Sequence, residues 1–366
     1  MHFPLPQLPR GKTRNEPDDL RREYGVQDVY RMANNESVLG PSPAVVAAIA
    51  AEASKLGDYP TFGDERVRSA LADVWGRGLT PEHFYTSCSG FEALELAARA
   101  FFVPGDEVII SNPTFMAAYG KVAKLQHAKL VDVPLLLPNF DLDVDGILAA
   151  ITERTKAIVL CNPNNPTGTV TPAETMQRLM DGLPENVLVI SDEVYFHFVQ
   201  DPAYPDSVRY VLENRPIILI HSFSKAYGMA GLRMGYAIAP PHIANYVAGL
   251  HRGFHQNRIA QVAAIAAIGD QAHLQANVKA ALDGKAYLMA AFDRLDLTYI
   301  RSATNFLILQ LPPRLSANTV VQQLMEQGIM VRAPQGHGLE NVLRVSVGSE
   351  AGNHAFVAAI EALLGA

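Results

Sequence analysis

Five short apolar runs constrain this chain more than any other feature. They are Glu107–Ser111 (EVIIS), Lys156–Cys161 (KAIVLC), Val187–Ser191 (VLVIS), Ile217–His221 (IILIH) and Gly235–Ala239 (GYAIA). Most are β-branched and apolar at successive positions, so both faces of each strand must be covered. Between several of them the period changes. Phe91–Phe102 (FEALELAARAFF) places apolar residues at i, i+3, i+4, the stripe of an amphipathic helix. Thr171-Pro172-Ala173-Glu174 reads as a capping box with proline at the first helical position, and Ser42-Pro43 as a second helix start. Strands alternating with helices predict an α/β fold: a large domain with a mainly parallel sheet sandwiched by helices.

The pattern shifts after Pro240. Asn257–Leu295 is almost continuously helix-forming, and three further apolar runs follow at Asn305–Gln310, Gly328–Arg332 and Val342–Gly348. That predicts a smaller α/β domain at the C-terminus. With 366 residues, the chain exceeds the roughly 250–300 residues one core usually supports. The expected organisation is an N-terminal arm over 1–33, a large domain over 34–271 and a small one over 272–366. The arm is rich in proline and charge and is expected to be extended.

Charge and cysteine usage exclude several classes. The net charge is −7 with no block of like charges, which argues against nucleic acid or an anionic membrane as the main partner. No apolar run reaches the roughly 20 residues of a membrane span, and residues 1–25 lack the apolar centre of a signal peptide. The two isolated cysteines, Cys88 and Cys161, fit a reducing, cytoplasmic compartment better than a disulfide framework or a zinc site.

The chemistry concentrates in His221–Gly235 (HSFSKAYGMAGLRMG). Lys225 follows a buried strand, where ligands gather in open α/β sheets. Ser222, Ser224 and Arg233 could cradle a phosphate, and a partly desolvated lysine near other cations can form a Schiff base with a carbonyl. A solvated lysine in a Ser/Gly loop explains this segment equally well by itself. Three other strand ends add to it. In Ser191–Tyr195 (SDEVY), Asp192 could pair with a protonated ring nitrogen and Tyr195 could donate to a phenolate oxygen. Cys161–Gly168 (CNPNNPTG) is dense turn chemistry. Ser87–Leu94 (SCSGFEAL) leads into a helix whose first amides, Gly90 and Phe91, suit a phosphate. Each taken singly can be an ordinary turn.

Together, in this order, these segments resemble the fold-type I pyridoxal-phosphate enzymes, and class I and II aminotransferases in particular. The likeness runs from about Asn34 to Gly348 and is nearest to the histidinol-phosphate aminotransferases, with ANNESVLGPSP, YPTFGD, TNFLIL, IMVR and LRVSVGS in support. The resemblance implies pyridoxal 5′-phosphate as cofactor, with Lys225 as its covalent anchor and Asp192 keeping the ring nitrogen protonated. Asn165 and Tyr195 would bond the phenolic oxygen, and Phe115 would stack on the ring. Gly90, Phe91, Ser222, Ser224 and Arg233 would hold the phosphate. Tyr59 resembles the tyrosine that reaches the neighbouring subunit's cofactor, which implies a homodimer with shared active sites. Arg344 and Arg332 would meet the acidic groups of the substrate, beside Asn165 and Tyr59. The implied reaction is a ping-pong exchange between a small-molecule amino donor and a 2-oxo acid acceptor. A decarboxylase acting on a phosphorylated amino acid such as phosphothreonine shares much of the pattern. A non-catalytic cofactor sensor is the third reading, although the arm is too short and proline-rich for a DNA-binding helix pair.

The chain departs from that family in places. Asn35-Glu36-Ser37-Val38-Leu39 replaces an NENP-type run, and Phe91 stands where an acidic residue is common. His251, Arg252, His255 and Arg258 occupy a stretch that is usually proline-rich, and most of them are expected to be solvated. His251 and His255 have the i, i+4 spacing of metal ligands. No acidic third ligand is in register, so no metal is expected. Trp75 lies in a helical pattern and reads as packing.

Overall fold

A computed structural model describes residues 16–365. Its main sheet holds seven strands: β2 (Phe84–Ser87), β3 (Glu107–Ile110), β4 (Lys129–Asp132), β5 (Thr155–Cys161), β6 (Leu188–Asp192), β7 (Ile217–Ser222) and β8 (Gly235–Ile238). Their spatial order is β2-β8-β7-β6-β5-β3-β4. β8 runs antiparallel to both neighbours, and every other pairing is parallel.

The apolar runs are fully covered because successive residues point to opposite faces. Ile158, Leu160, Val189, Ile217 and Leu219 join a core on one face, and Ala157, Val159, Ile190, Ile218 and Ile220 a core on the other. The helix Gly90–Phe101 packs Ala93, Leu94, Ala97 and Ala98 into the second core, which is the stripe its sequence displays. At about 25 cal/mol per Å² of apolar surface removed from water, these two layers are the main source of stability.

A third core is built from the C-terminal half of the long helix Gln271–Arg294, the helix Glu350–Leu364, and strands β9 (Tyr299–Ile300), β10 (Phe306–Gln310), β11 (Ile329–Met330) and β12 (Val342–Ser346). β10 lies between β12 and β9, antiparallel to both. Strand β1 (Tyr30–Arg31) pairs in parallel with β11, and Met32 is buried in this third core. Residues 30–32 are therefore stitched to the C-terminal region.

Two local expectations fail. Pro17–Tyr24 is a helix with proline in its first turn, not an extended arm; the rest of that expectation, residues 1–15, lies outside the described residues. The capping box at Thr171 does not form. The helix begins at Ala173 with Pro172 as its N-cap, because the Thr171 N–H goes to Asn162 Oδ1 (2.9 Å) and the Ala173 N–H to the Ala203 carbonyl (2.6 Å). The Ser42 start does form, with its hydroxyl accepting the Val45 N–H at 3.2 Å.

Candidate active site

The carboxyl ends of the parallel strands open into a cleft of about 940 Å³. Asp192 ends β6, Cys161 ends β5 and Ser222 ends β7, so one rim gathers residues that lie far apart in sequence. Lys225, Asp192, Tyr195, Asn165, Gly90, Phe91, Phe115, Ser222, Ser224, Arg233, Arg332 and Arg344 all line this cleft. Tyr59 does not. It is 77% exposed and stacks on Phe254, with ring centroids 4.6 Å apart.

The backbone explains how the phosphate end is shaped. Ser89 caps the helix Gly90–Phe101 by accepting the Glu92 N–H, so the leading amides of that helix face the cleft without partners inside it. Gly235 lies hard against this turn, where an added Cβ would come within 2.5 Å of the Gly90 nitrogen. Ser222 Oγ accepts the Ser224 N–H at 3.0 Å, which fixes both hydroxyl-bearing residues on the same rim. Gly228 (φ +70°) closes the lysine loop; a Cβ there would stand 2.2 Å from the Gly40 carbonyl oxygen. A helix N-terminus, two hydroxyls and the Arg233 guanidinium line this end of the cleft, groups of the kind that suit an anion.

The deeper end is electrostatically unbalanced. Asp192 accepts from the Tyr119 hydroxyl (2.9 Å) and the Val194 N–H (3.4 Å). Burial lifts its carboxyl from 3.8 to about 6, with those two hydrogen bonds and the Lys225 charge opposing the rise. A carboxylate so placed gains from a cationic ring nitrogen. Burial also depresses Lys225 from 10.5 to about 8, with the Arg344 charge adding to it. Its Nζ donates to the Asn34 carbonyl (2.9 Å) and lies 5.8 Å from the centre of the Tyr195 ring. Tyr195 Oη in turn accepts from Asn35 Nδ2 at 2.8 Å.

The two cleft arginines of the C-terminal region are neighbours through their backbones. Arg332 N–H meets the Arg344 carbonyl at 3.2 Å, and Arg344 N–H meets the Arg332 carbonyl at 2.7 Å. Arg344 Nη1 donates to Asn165 Oδ1 and Nη2 to the Ala33 carbonyl, both at 2.7 Å. Arg332 Nη2 donates to Asn34 Oδ1 at 3.0 Å. Sequence reasoning assigned no roles to Asn34, Asn35 and Tyr119. Tyr119 carries one legible signal, being four residues past Phe115 and so one helical turn on. Nothing local ties the two asparagines to residues some 160–310 positions away.

The histidine pair behaves differently from expectation. His251 and His255 are partly buried, their rings stacked 3.8 Å apart, and Asp64 supplies the acidic group that the linear register seemed to deny them. Asp64 comes from a turn nearly 190 residues earlier, which spacing along one helix cannot reveal. Arg258 is also held, by Glu52 and by the Tyr59 carbonyl, each at 2.7 Å. Trp75 packs as expected, stacked on Phe196 and donating to Tyr236 Oη.

A buried carboxylate short of a cation, a lysine poised to lose its proton and an anion cradle describe one class: an α/β enzyme that holds an aldehyde-bearing pyridine cofactor by its phosphate. The residues present fit pyridoxal 5′-phosphate. The family of class I and II aminotransferases matches residues 27–360, and this chain belongs to it. It is 35% identical to the histidinol-phosphate aminotransferase of Moorella thermoacetica, over 95% of this chain and 88% of that one. It is 36% identical to that of Symbiobacterium thermophilum, over 95% and 94%. Among solved structures, the histidinol-phosphate aminotransferase of Sinorhizobium meliloti, in complex with pyridoxal 5′-phosphate, superposes with a TM-score of 0.87 at 28% identity, covering 96% of both chains. The chain is a pyridoxal-phosphate-dependent transaminase, which sets aside the decarboxylase and sensor readings.

Proposed function

We propose that this enzyme moves an amino group between histidinol phosphate, or a closely related amino donor, and a 2-oxo acid. The carrying observation is the Arg332–Arg344 backbone bridge, which sets two guanidinium groups side by side in the cleft. Paired forks suit substrates that bear a phosphate in one half-reaction and a carboxylate in the other. The names of the relatives support the same substrate class.

Bound pyridoxal phosphate supplies an electron sink for the pair left on the substrate α-carbon when its proton departs. The chain does the rest. In our reading Lys225 anchors the cofactor between turnovers. Once released, its amine, lowered by burial to about 8, would be the group that takes up the substrate's α-proton and holds it for return. Asp192, whose carboxylate Tyr119 holds in place, would pair with the cofactor's ring nitrogen. Asn165, held by Arg344, and Tyr195, held by Asn35, would bond its phenolic oxygen. Phe115 would stack on its ring. Gly90, Phe91, Ser222, Ser224 and Arg233 retain the phosphate while the covalent link is open.

We further propose that two copies share their active sites, each lending Tyr59 to the other's phosphate end. The exposure of Tyr59 outside its own cleft supports this. We divide the chain into an N-terminal arm to residue 33, a large domain to 271 and a small one beyond; the long helix Gln271–Arg294 spans the second boundary, with Leu274, Val278 and Ala281 in the sheet's core and Leu288, Ala291 and Phe292 in the third. No helix among the described residues is long and apolar enough to cross a membrane. The free thiols of Cys88 and Cys161 support a cytoplasmic setting.

A half-reaction screen tests the substrate. Candidate donors are added singly to the enzyme, and the visible band of the lysine-linked cofactor is followed. Histidinol phosphate should bleach it fastest, with a keto product and no carbon dioxide. A faster response to donors lacking any phosphate would discard the substrate reading. Mixing a Lys225→Ala chain with a Tyr59→Ala chain tests sharing, because a shared arrangement leaves one intact site per mixed dimer. Activity no higher than that of the parents would exclude it.

A further inference from the structure

We propose that Asp64, His251 and His255 form a binding site for a divalent transition-metal ion, with zinc the best match, beside strand β2. One ligand atom from each residue lies within 4.8 Å of the other two. Asp64 sits at the start of the helix Glu65–Trp75, and the histidines lie in the loop between the helices Pro241–Ala248 and Arg258–Gly269. His251 Nε2 is buried and has no hydrogen-bond partner among the described residues.

The donor set suits a metal. Two imidazoles and one carboxylate are a zinc-type donor set, whereas magnesium and calcium prefer oxygen throughout. Tetrahedral bonds of about 2.0–2.1 Å put donors roughly 3.3 Å apart, so the set must close by up to about 1.5 Å.

An outer layer is already built. Thr86 Oγ1 donates to Asp64 Oδ2 (2.6 Å) and lies 3.3 Å from His255 Nε2, while Arg68 Nε donates to Asp64 Oδ1 (2.8 Å). Such contacts orient ligands, although the positive charge of Arg68 opposes a dication and keeps affinity below that of a cysteine-built site. An ion here would clip the Tyr59–Asp64 segment to the 251–256 loop. That loop already stacks Phe254 on Tyr59 and reaches the end of β2 through Gln256 Nε2 to the Ser87 carbonyl at 3.1 Å. The clip shares no residue with the proposed phosphate cradle, although its loop touches Ser87 and Cys88 just ahead of Gly90.

The test uses the full-length, cofactor-loaded enzyme, stripped with chelator, given zinc, dialysed and assayed for metal. One zinc per chain is expected. His251→Gln and His255→Gln should each weaken zinc binding by about tenfold or more, with unchanged melting temperature in the absence of metal. X-ray absorption of the zinc-loaded wild type provides a second reading that needs no variant: imidazole and oxygen neighbours, and no sulfur. Sulfur ligation, equal zinc content in folded variants, or no retained zinc would overturn the proposal.

Discussion

The amine of Lys225 can be titrated by its own chemistry. An ordinary lysine at 10.5 is neutral in about 3 molecules per 10,000 at pH 7, whereas one near 8 is neutral in about one in ten, a gain of about 300-fold. Cofactor capture by the apoenzyme requires that neutral form. Its rate should therefore climb with pH and level off with a midpoint near 8, measured by stopped-flow absorbance against a free amine as control. Burial is the larger cause of the depression and the Arg344 charge the next, so Arg344→Met should move the midpoint upward but not back to 10.5. Lys225→Ala should retain the cofactor through phosphate contacts, release it on dialysis and show no turnover. The linkage has a definite sign. Between pH 8 and 10.5 the unfolded chain holds a proton on this group that the fold does not. Apoenzyme stability from Lys225 therefore rises over that window, by about 3 kcal/mol in all, and is lost as pH falls through 8. A capture rate still rising without a plateau through pH 10 would refute the reasoning.

Other consequences follow from the same geometry. Asp192→Asn should lower kcat by roughly 10²–10⁴ in steady-state assays, since the ring nitrogen loses its counter-charge. The same variant should make the apoenzyme at pH 8 no less stable than wild type in urea melts. The Asp192 carboxyl is raised from 3.8 to about 6, so its contribution is full below 3.8 and lost as pH rises through 6, at a cost of about 3 kcal/mol when ionised. Gly228→Ala should destabilise the protein by at least about 1–3 kcal/mol in denaturant unfolding, because a positive φ and a contact with the Gly40 carbonyl must both give way. Arg344→Lys should raise KM for both substrates by about 10–100-fold with a smaller change in kcat, from the loss of a bidentate fork.

Much of the cleft was legible before any coordinates. Lys225, Asp192 and Ser222 sit where apolar runs end in polar turns, and strand ends in an α/β sheet are where ligands collect. The partners of those residues were not legible. Tyr119 on Asp192, Asn34 on Lys225 and Arg332, and Asn35 on Tyr195 are contacts across 73 to 298 positions. The failed capping box at Thr171 shows the same limit at short range. Its local pattern is sound, but Asn162 Oδ1 takes the Thr171 N–H that the Glu174 side chain would have had to satisfy.

What the sequence determined by itself is local: period, turn chemistry, and which side chains can carry a proton, a phosphate or a covalent bond. Alternation of strand and helix prescribed a two-sided sheet, because apolar strands need cover on both faces. Only the tertiary structure decided how charges are tuned and who stands beside whom. It moved Asp192 and Lys225 toward neutrality by withdrawing water, bridged Arg332 to Arg344, and brought Asp64 to His251 and His255. Burial and distance are properties of the path the chain takes through space, and no short stretch of residues encodes them.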